Sequence, residues 1–129
     1  MMTKEELNKL GTRIIGAAIE VHKELGAGLL ESINEACLAE ELRLKGIKVA
    51  EQVKLPIVYK GKVLDKYFQA DLIVENEIII ELKCVEELKP IHEVQLVTYL
   101  KLSNRRLGYL MNFNVTKLTD GLKRKVNRL

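Results

Sequence analysis

The sequence predicts an α/β protein of the α+β kind, a mixed sheet flanked by helices. Three observations predict it. Two apolar series at helical spacing open the chain. After Gly46 the period shortens to that of strands, in a meander of three or four antiparallel strands. One helical segment, 90–102, then lies between two strands and can return the chain to the sheet as a crossover.

The 129 residues suit a single domain, 1–129, with 47% hydrophobic and 30% charged residues. No apolar run approaches the ~20 residues that span a bilayer, so no membrane partner is expected. The start, Met-Met-Thr-Lys-Glu-Glu, lacks the basic-then-apolar pattern of a signal peptide. Cys37 and Cys84 have no metal-type spacing and fit unpaired thiols in a reducing cytosol, so a cytoplasmic location is expected. The net charge of +3 permits nucleic-acid binding without arguing for it. The late basic residues Arg105, Arg106, Lys123, Arg124, Lys125 and Arg128 read first as a solvated face, second as a phosphate contact.

In chain order, Thr3 and Glu6 form a capping-box pattern ahead of Leu7, Leu10, Ile14, Ala17 or Ala18, Val21 and Leu25. This predicts a first helix over 4–25, stopped by Gly26 and Gly28. His22 reads as a surface or capping histidine near its end. A second helix is predicted over 29–45. Leu29, Ile33, Ala36, Cys37 and Leu44 form one apolar arc, and Leu38 and Leu42 a second. Glu31 falls between Leu38 and Leu42 in angle, which draws it toward a partly buried position. As a first-turn acid it is also favoured by the helix dipole.

Segments 47–53 and 55–59 read as strands, with Pro56 marking an edge or a bend. Lys60-Gly61-Lys62 is a turn, followed by strands over 63–74 and 78–83. Pro90 suits the first turn of the 90–102 helix. That helix is apolar nearly all round, and its main polar sector holds His92, Gln95 and Tyr99. A last strand is predicted over 107–113 and a short basic helix over 120–129.

The chemistry centres on 71–99. A hairpin folding at Asn76 pairs Val74 with Ile78 and Asp71 with Glu81, and Lys83 points to the same face as Glu81. Paired carboxylates repel unless a cation lies between them. Oxygen ligands with open water positions suit Mg²⁺, or Mn²⁺. Zinc is disfavoured, since His92 is the only nearby imidazole. The plainer alternative is a solvated sheet face carrying a weak surface ion pair. Gln95 and Tyr99, one helical turn apart, would hold a phosphate backbone or tie the lysine in place.

Asp71 followed by Glu81-Leu82-Lys83 resembles the Asp…(Asp/Glu)-x-Lys signature of the PD-(D/E)xK nuclease superfamily. Gln95-x-x-x-Tyr99 resembles the glutamine–tyrosine helix motif of its RecB-like branch. Gly28-Leu29-Leu30-Glu31, the Glu-Leu-Lys triplet, Pro90-Ile91-His92-Glu93-Val94-Gln95 and Asn112-Phe113-Asn114 are together similar to the small prokaryotic GxxExxY proteins, over about 14–126. Two positions depart from the patterns: Asn34 replaces the final tyrosine of GxxExxY, and Ala70 replaces the proline of the superfamily name.

The resemblance implies a restriction-endonuclease-like core and a Mg²⁺-dependent (or Mn²⁺-dependent) nuclease hydrolysing phosphodiester bonds, with DNA ahead of RNA as partner. It implies Asp71 and Glu81 as metal ligands, the Leu82 carbonyl as a third and Glu31 as an extra acid. Lys83 would position the attacking water, and Gln95, Tyr99 and His92 would contact substrate. So small a core leaves room for a homo-oligomer or an accessory protein to help grip a polymer. The alternative is a catalytically silent nucleic-acid-binding or protein-interaction module that keeps the fold. A small-nucleotide phosphohydrolase is disfavoured by the lack of a Gly-rich phosphate loop.

Overall fold

The structure, a computed structural model, describes all residues, Met1–Leu129. Helix α1 spans Lys4–Leu25. Its capping box closes as predicted: Glu6 N–H donates to the Thr3 hydroxyl, and Thr3 N–H to the Glu6 carboxylate, each at 3.1 Å. Leu7, Leu10, Ile14, Ala17, Ala18 and Val21 form its buried stripe. Gly26, at φ 75°, ends it in the left-handed region that glycine adopts without strain.

His22 corrects the surface reading. It is buried, and its ring Nε2 lies 2.8 Å from the Val115 carbonyl. The loop after the fourth strand folds over the end of α1 and takes this histidine as its anchor. His22→Ala is expected to lower stability by about 1–3 kcal/mol, because a buried carbonyl loses its partner. Urea unfolding measures it.

Helix α2 spans Glu31–Leu44, two residues shorter at its start than expected and one at its end. Its buried residues are Asn34, Leu38, Ala39 and Leu42. The packing face is therefore the Leu38/Leu42 arc, while Ile33 and Leu44 on the longer apolar arc stay exposed. The single sheet chooses one face, and the arc that also carries Glu31 wins.

The five strands are β1 (Val49–Tyr59), β2 (Lys62–Val74), β3 (Ile78–Lys83), β4 (Leu107–Asn112) and β5 (Leu122–Val126), lying side by side in chain order. Only β3 and β4 run parallel. The crossover between them is α3, Pro90–Ser103. The two runs expected before Lys60 are one strand. Pro56 sits on it without cost, because β1 is an edge and its outward side needs no ladder bond.

Helices α1 and α2 cover one sheet face, over Leu72, Val74, Ile78, Ile80, Leu82 and Leu107. Helix α3 covers the other, over Ala70, Ile73, Ile79 and Leu110. Burial on both faces explains the unbroken apolar run Ile78-Ile79-Ile80.

Two more expectations are corrected. Helix α3 is not buried all round: Leu96 and Leu100 are inside, whereas Ile91, Val94 and Leu102 are exposed. The expected helix over 120–129 is a 3-10 turn, Leu118–Gly121, followed by β5. β4 is buried along its whole length and needs a partner on its free edge, which β5 supplies from Leu107↔Val126 to Met111↔Leu122. A local run of basic residues carries no trace of that demand.

Candidate metal centre

The hairpin between β2 and β3 turns at Asn76 with the expected Val74–Ile78 register, continued by Ile73–Ile79 and Leu72–Ile80, but the expected pairing of Asp71 with Glu81 does not form. Glu75 and Asn76 take left-handed backbone angles at its tip, φ 51° and 57°. Arg105 holds the turn through the Asn76 side-chain oxygen at 2.8 Å.

The ladder stops at Leu72. At the next position the Asp71 carboxylate takes the place of backbone pairing: its Oδ2 accepts the Leu82 N–H at 2.9 Å. The two strands part there, and the carboxylate lies in the gap. Glu81 lies beside it, its Oε1 3.4 Å from the Asp71 N–H. Lys83 follows on the same face of β3. The Lys83 carbonyl accepts the Phe113 N–H at 2.9 Å, on the β4 side. Strand alternation therefore turns the Leu82 carbonyl toward the gap beside Asp71.

Glu81 is only 7% exposed. Burial, then the charge of Asp71 and the hydrogen bond between the two carboxyls, push it up to about 9. At neutral pH it holds a proton. Glu31 stands at the rim, at the start of α2. Desolvation raises it, Lys83 opposes the rise, and Asp71 adds to it. The Tyr99 phenol is raised by burial and by the charges of Glu81 and Asp71, and its ring stacks on Phe68 with centroids 4.3 Å apart. The fold thus brings Glu31, Asp71, Glu81, Lys83 and Tyr99 to one place. Gln95 is exposed on the same helix. His92 is tied up locally: its Nδ1 accepts the Lys89 N–H at 3.0 Å and caps the start of α3.

Three glutamine and glutamate residues complete the surroundings without having been foreseen. Gln52 donates to Glu35 at 2.6 Å and to Asp71 Oδ1 at 3.4 Å, and accepts from Gln69 at 2.6 Å. Glu35 is raised by desolvation, against the Gln52 hydrogen bond, and by the charge of Asp71. Glu35 lies one helical turn beyond Glu31, which was its only sequence signal. Gln52 carried none; its left-handed backbone, φ 50°, is a tertiary result.

Asn112 acquires a stated task. Buried at the end of β4, it accepts the Val85 N–H at 3.1 Å and donates to the Val85 carbonyl at 2.9 Å. It thereby fixes the chain leaving Lys83. Asn112→Ala is expected to cost about 2–4 kcal/mol in chemical unfolding, since two buried backbone groups lose their partner. Asn34, 1% exposed, donates to Leu30 and to Cys84 Sγ, and its Oδ1 has no partner. A tyrosine ring would not fit that enclosed position without rearrangement.

No three His, Cys, Asp or Glu side chains gather in metal-ligating geometry. The donor chemistry nonetheless fits a hard divalent cation. The groups at the gap are oxygens, and the two carboxyls can both ionise only if a cation offsets their mutual repulsion.

A family profile described as the PD-(D/E)XK nuclease superfamily matches residues 8–125. The chain belongs to this superfamily. The superfamily acts on nucleic acid in general, and its members typically use divalent metals. No curated protein matches the nuclease-superfamily chain. Among solved structures it is similar to one titled "Crystal structure of SSO0001", at 24% identity and a TM-score of 0.56. The match covers 77% of this chain and 51% of that one, so the chain spans about half its length. This likeness shows the fold: a mostly antiparallel five-strand mixed sheet with three helices, consistent with the restriction-endonuclease-like fold. No helix is long and apolar enough to cross a membrane.

Proposed function

We propose that this member of the superfamily is a Mg²⁺-dependent (or Mn²⁺-dependent) nuclease of the GxxExxY type, hydrolysing phosphodiester bonds in nucleic acid, DNA ahead of RNA. The observation that carries the reading is the buried Asp71–Glu81 pair, set where β2 and β3 part, with Lys83 on the same face.

Asp71, Glu81 and the Leu82 carbonyl would hold the cation, with Glu31 the further acid at the rim. A bound Mg²⁺ would polarise a phosphoryl oxygen and lower the pKa of a coordinated water. The protein's own groups do the rest. As a ligand Glu81 would be ionised, its proton passing to solvent. The Lys83 ammonium, free of any ion pair in the fold, orients the attacking water and faces the charge that grows on the phosphate. Tyr99, braced on Phe68, presents its hydroxyl to the same cleft, and exposed Gln95 lies one turn before it. Gln52 steadies Asp71 from the far side.

The test is cleavage of single- and double-stranded DNA and RNA with Mg²⁺ or Mn²⁺, by wild type, Asp71→Ala and Lys83→Ala. Equal cutting by all three removes the activity from this site. A second reading, a silent nucleic-acid-binding module of the same fold, is favoured by one observation: only two carboxyls, not three, are in contact. Calorimetric Mg²⁺ titration separates the two, since the module needs no cation.

A further inference from the structure

The antiparallel pair β1–β2 reaches well beyond the sheet. β2 pairs with β3 only over Leu72, Ile73 and Val74, yet pairs with β1 as far as Tyr59↔Lys62. The pair runs as a two-stranded arm from Asp71; its base still packs on α3 through Ala70 and Phe68, and beyond Phe68 it is free. At ~3.4 Å per residue, the nine steps from Asp71 to Lys62 reach about 30 Å.

One face of this arm continues directly from the metal centre. Alternation places Gln69 and Tyr67 of β2 on the same face as Lys54 and Pro56 of β1. The contacts follow that face: Asp71 to Gln52, Gln52 to Gln69, and the Lys54 ammonium over the Tyr67 ring at 4.8 Å. At the tip, Lys60 lies over the Tyr59 ring at 5.5 Å. Tyr59 and Tyr67 are 61% and 55% exposed. Lys54, Lys60, Lys62 and Lys66 are all exposed, Lys62 and Lys66 on the face of β2 opposite Tyr67, and a single acid, Asp65, accompanies them between 54 and 69. That surplus equals the whole chain's +3.

The other basic cluster is largely engaged within the fold. Arg105 holds Asn76, Arg106 bonds the Met2 carbonyl, Arg124 bonds Asn8, and Lys125 pairs with Glu93 at 2.6 Å. Edge protection alone would explain lysines on β1, the outer strand. It would equally explain Lys62 and Lys66 on β2, whose β3 side is unpaired beyond Leu72, but not the exposed Tyr59 and Tyr67 rings that lie under two of the lysines.

We propose that the β1–β2 arm is the nucleic-acid grip of this protein: its lysines contact phosphates, and Tyr67 and Tyr59 supply ring faces along a strand led to Asp71. The proposal rests on the nuclease reading and adds the surface that the substrate follows. Such a ribbon is also of a size that the major groove of a duplex admits.

The test is fluorescence-anisotropy binding to a labelled duplex and a labelled single strand, in EDTA so that nothing is cut, across about 50–200 mM salt. One variant carries Lys54→Gln, Lys60→Gln, Lys62→Gln and Lys66→Gln. A control carries Lys4→Gln, Lys9→Gln, Lys23→Gln and Lys101→Gln, exposed lysines on the helices. The arm variant is expected to flatten the slope of log affinity against log salt by ~3.6 on duplex or ~2.8 on single strand, the same four lost contacts in either form. The control is expected to leave the slope near wild type. Circular dichroism confirms that both variants fold. As a second variant, Tyr67→Ala is expected to weaken single-strand binding by at least about tenfold through lost stacking. An arm variant with an unchanged slope, or a control that flattens it equally, overturns the arm while leaving the nuclease reading intact. Wild-type protein that binds neither nucleic acid overturns both.

Discussion

Asp71→Ala is expected to reduce Mg²⁺-dependent cleavage by about 10³-fold or more, and Lys83→Ala by about 10²–10³-fold, the loss typical of removing one preorganised charge from a reacting centre. The two substitutions should separate in a second measurement. Asp71 is a proposed ligand, so its removal also weakens Mg²⁺ binding in calorimetry; Lys83 is not, so Lys83→Ala keeps the binding and loses the turnover. Asp71→Asn gives a sharper version. It keeps an oxygen to accept the Leu82 N–H and removes the charge that a cation would need. It is expected to fold and to be inactive. A folded but still active Asp71→Asn would sink the assignment of Asp71 to the centre.

The second large effect is a dependence of stability on pH. Glu81 is pushed from an ordinary 4.5 up to about 9, chiefly by burial and then by Asp71. Between those values the folded chain holds a proton that the unfolded chain releases. The folded state therefore binds more protons, and stability falls as pH rises from about 4.5 to about 9. At pH 7 the penalty amounts to about 3 kcal/mol. Glu81→Gln, which is neutral at every pH, is expected to recover about that much and to flatten this part of the profile. Urea unfolding at several pH values reads both. A cation at the gap favours the ionised form, so Mg²⁺ binding near pH 7 should release up to one proton. Calorimetry in buffers of different ionisation enthalpy detects it, and Glu81→Gln should abolish it. If wild type and Glu81→Gln share one stability profile, Glu81 is not the buried acid that the fold makes it.

These effects share a cause with the arm. The same point in β2, Asp71, ends the pairing with β3 and begins the length of ribbon that pairs with β1 alone. A strand gap that admits a carboxylate and a free two-stranded arm are two results of one divergence. The site and the surface proposed to feed it are thus built by a single local departure from sheet regularity.

Much of this was legible in local sequence. The Thr3–Glu6 box, the stop at Gly26, the Asn76 turn with its Val74–Ile78 register, and Pro90 at the start of α3 depend on neighbours a few residues away. The placement of Asp71 near Glu81 follows from that short hairpin alone. Non-local demands were not legible. β5 exists because β4 must be paired on both edges, and α2 turns its Leu38/Leu42 face inward because the sheet receives only one of two apolar arcs. His22 is buried by a loop more than ninety residues further along, as its contact with Val115 shows. Gln52, Glu35 and Asn112 act through partners on other elements. The sequence by itself determined the helices, the hairpin and the acids with their lysine, because short-range spacing encodes them. Only the tertiary structure decided that Glu81 is buried beside Asp71 and therefore protonated, because desolvation and charge repulsion depend on what surrounds a group rather than on what precedes it.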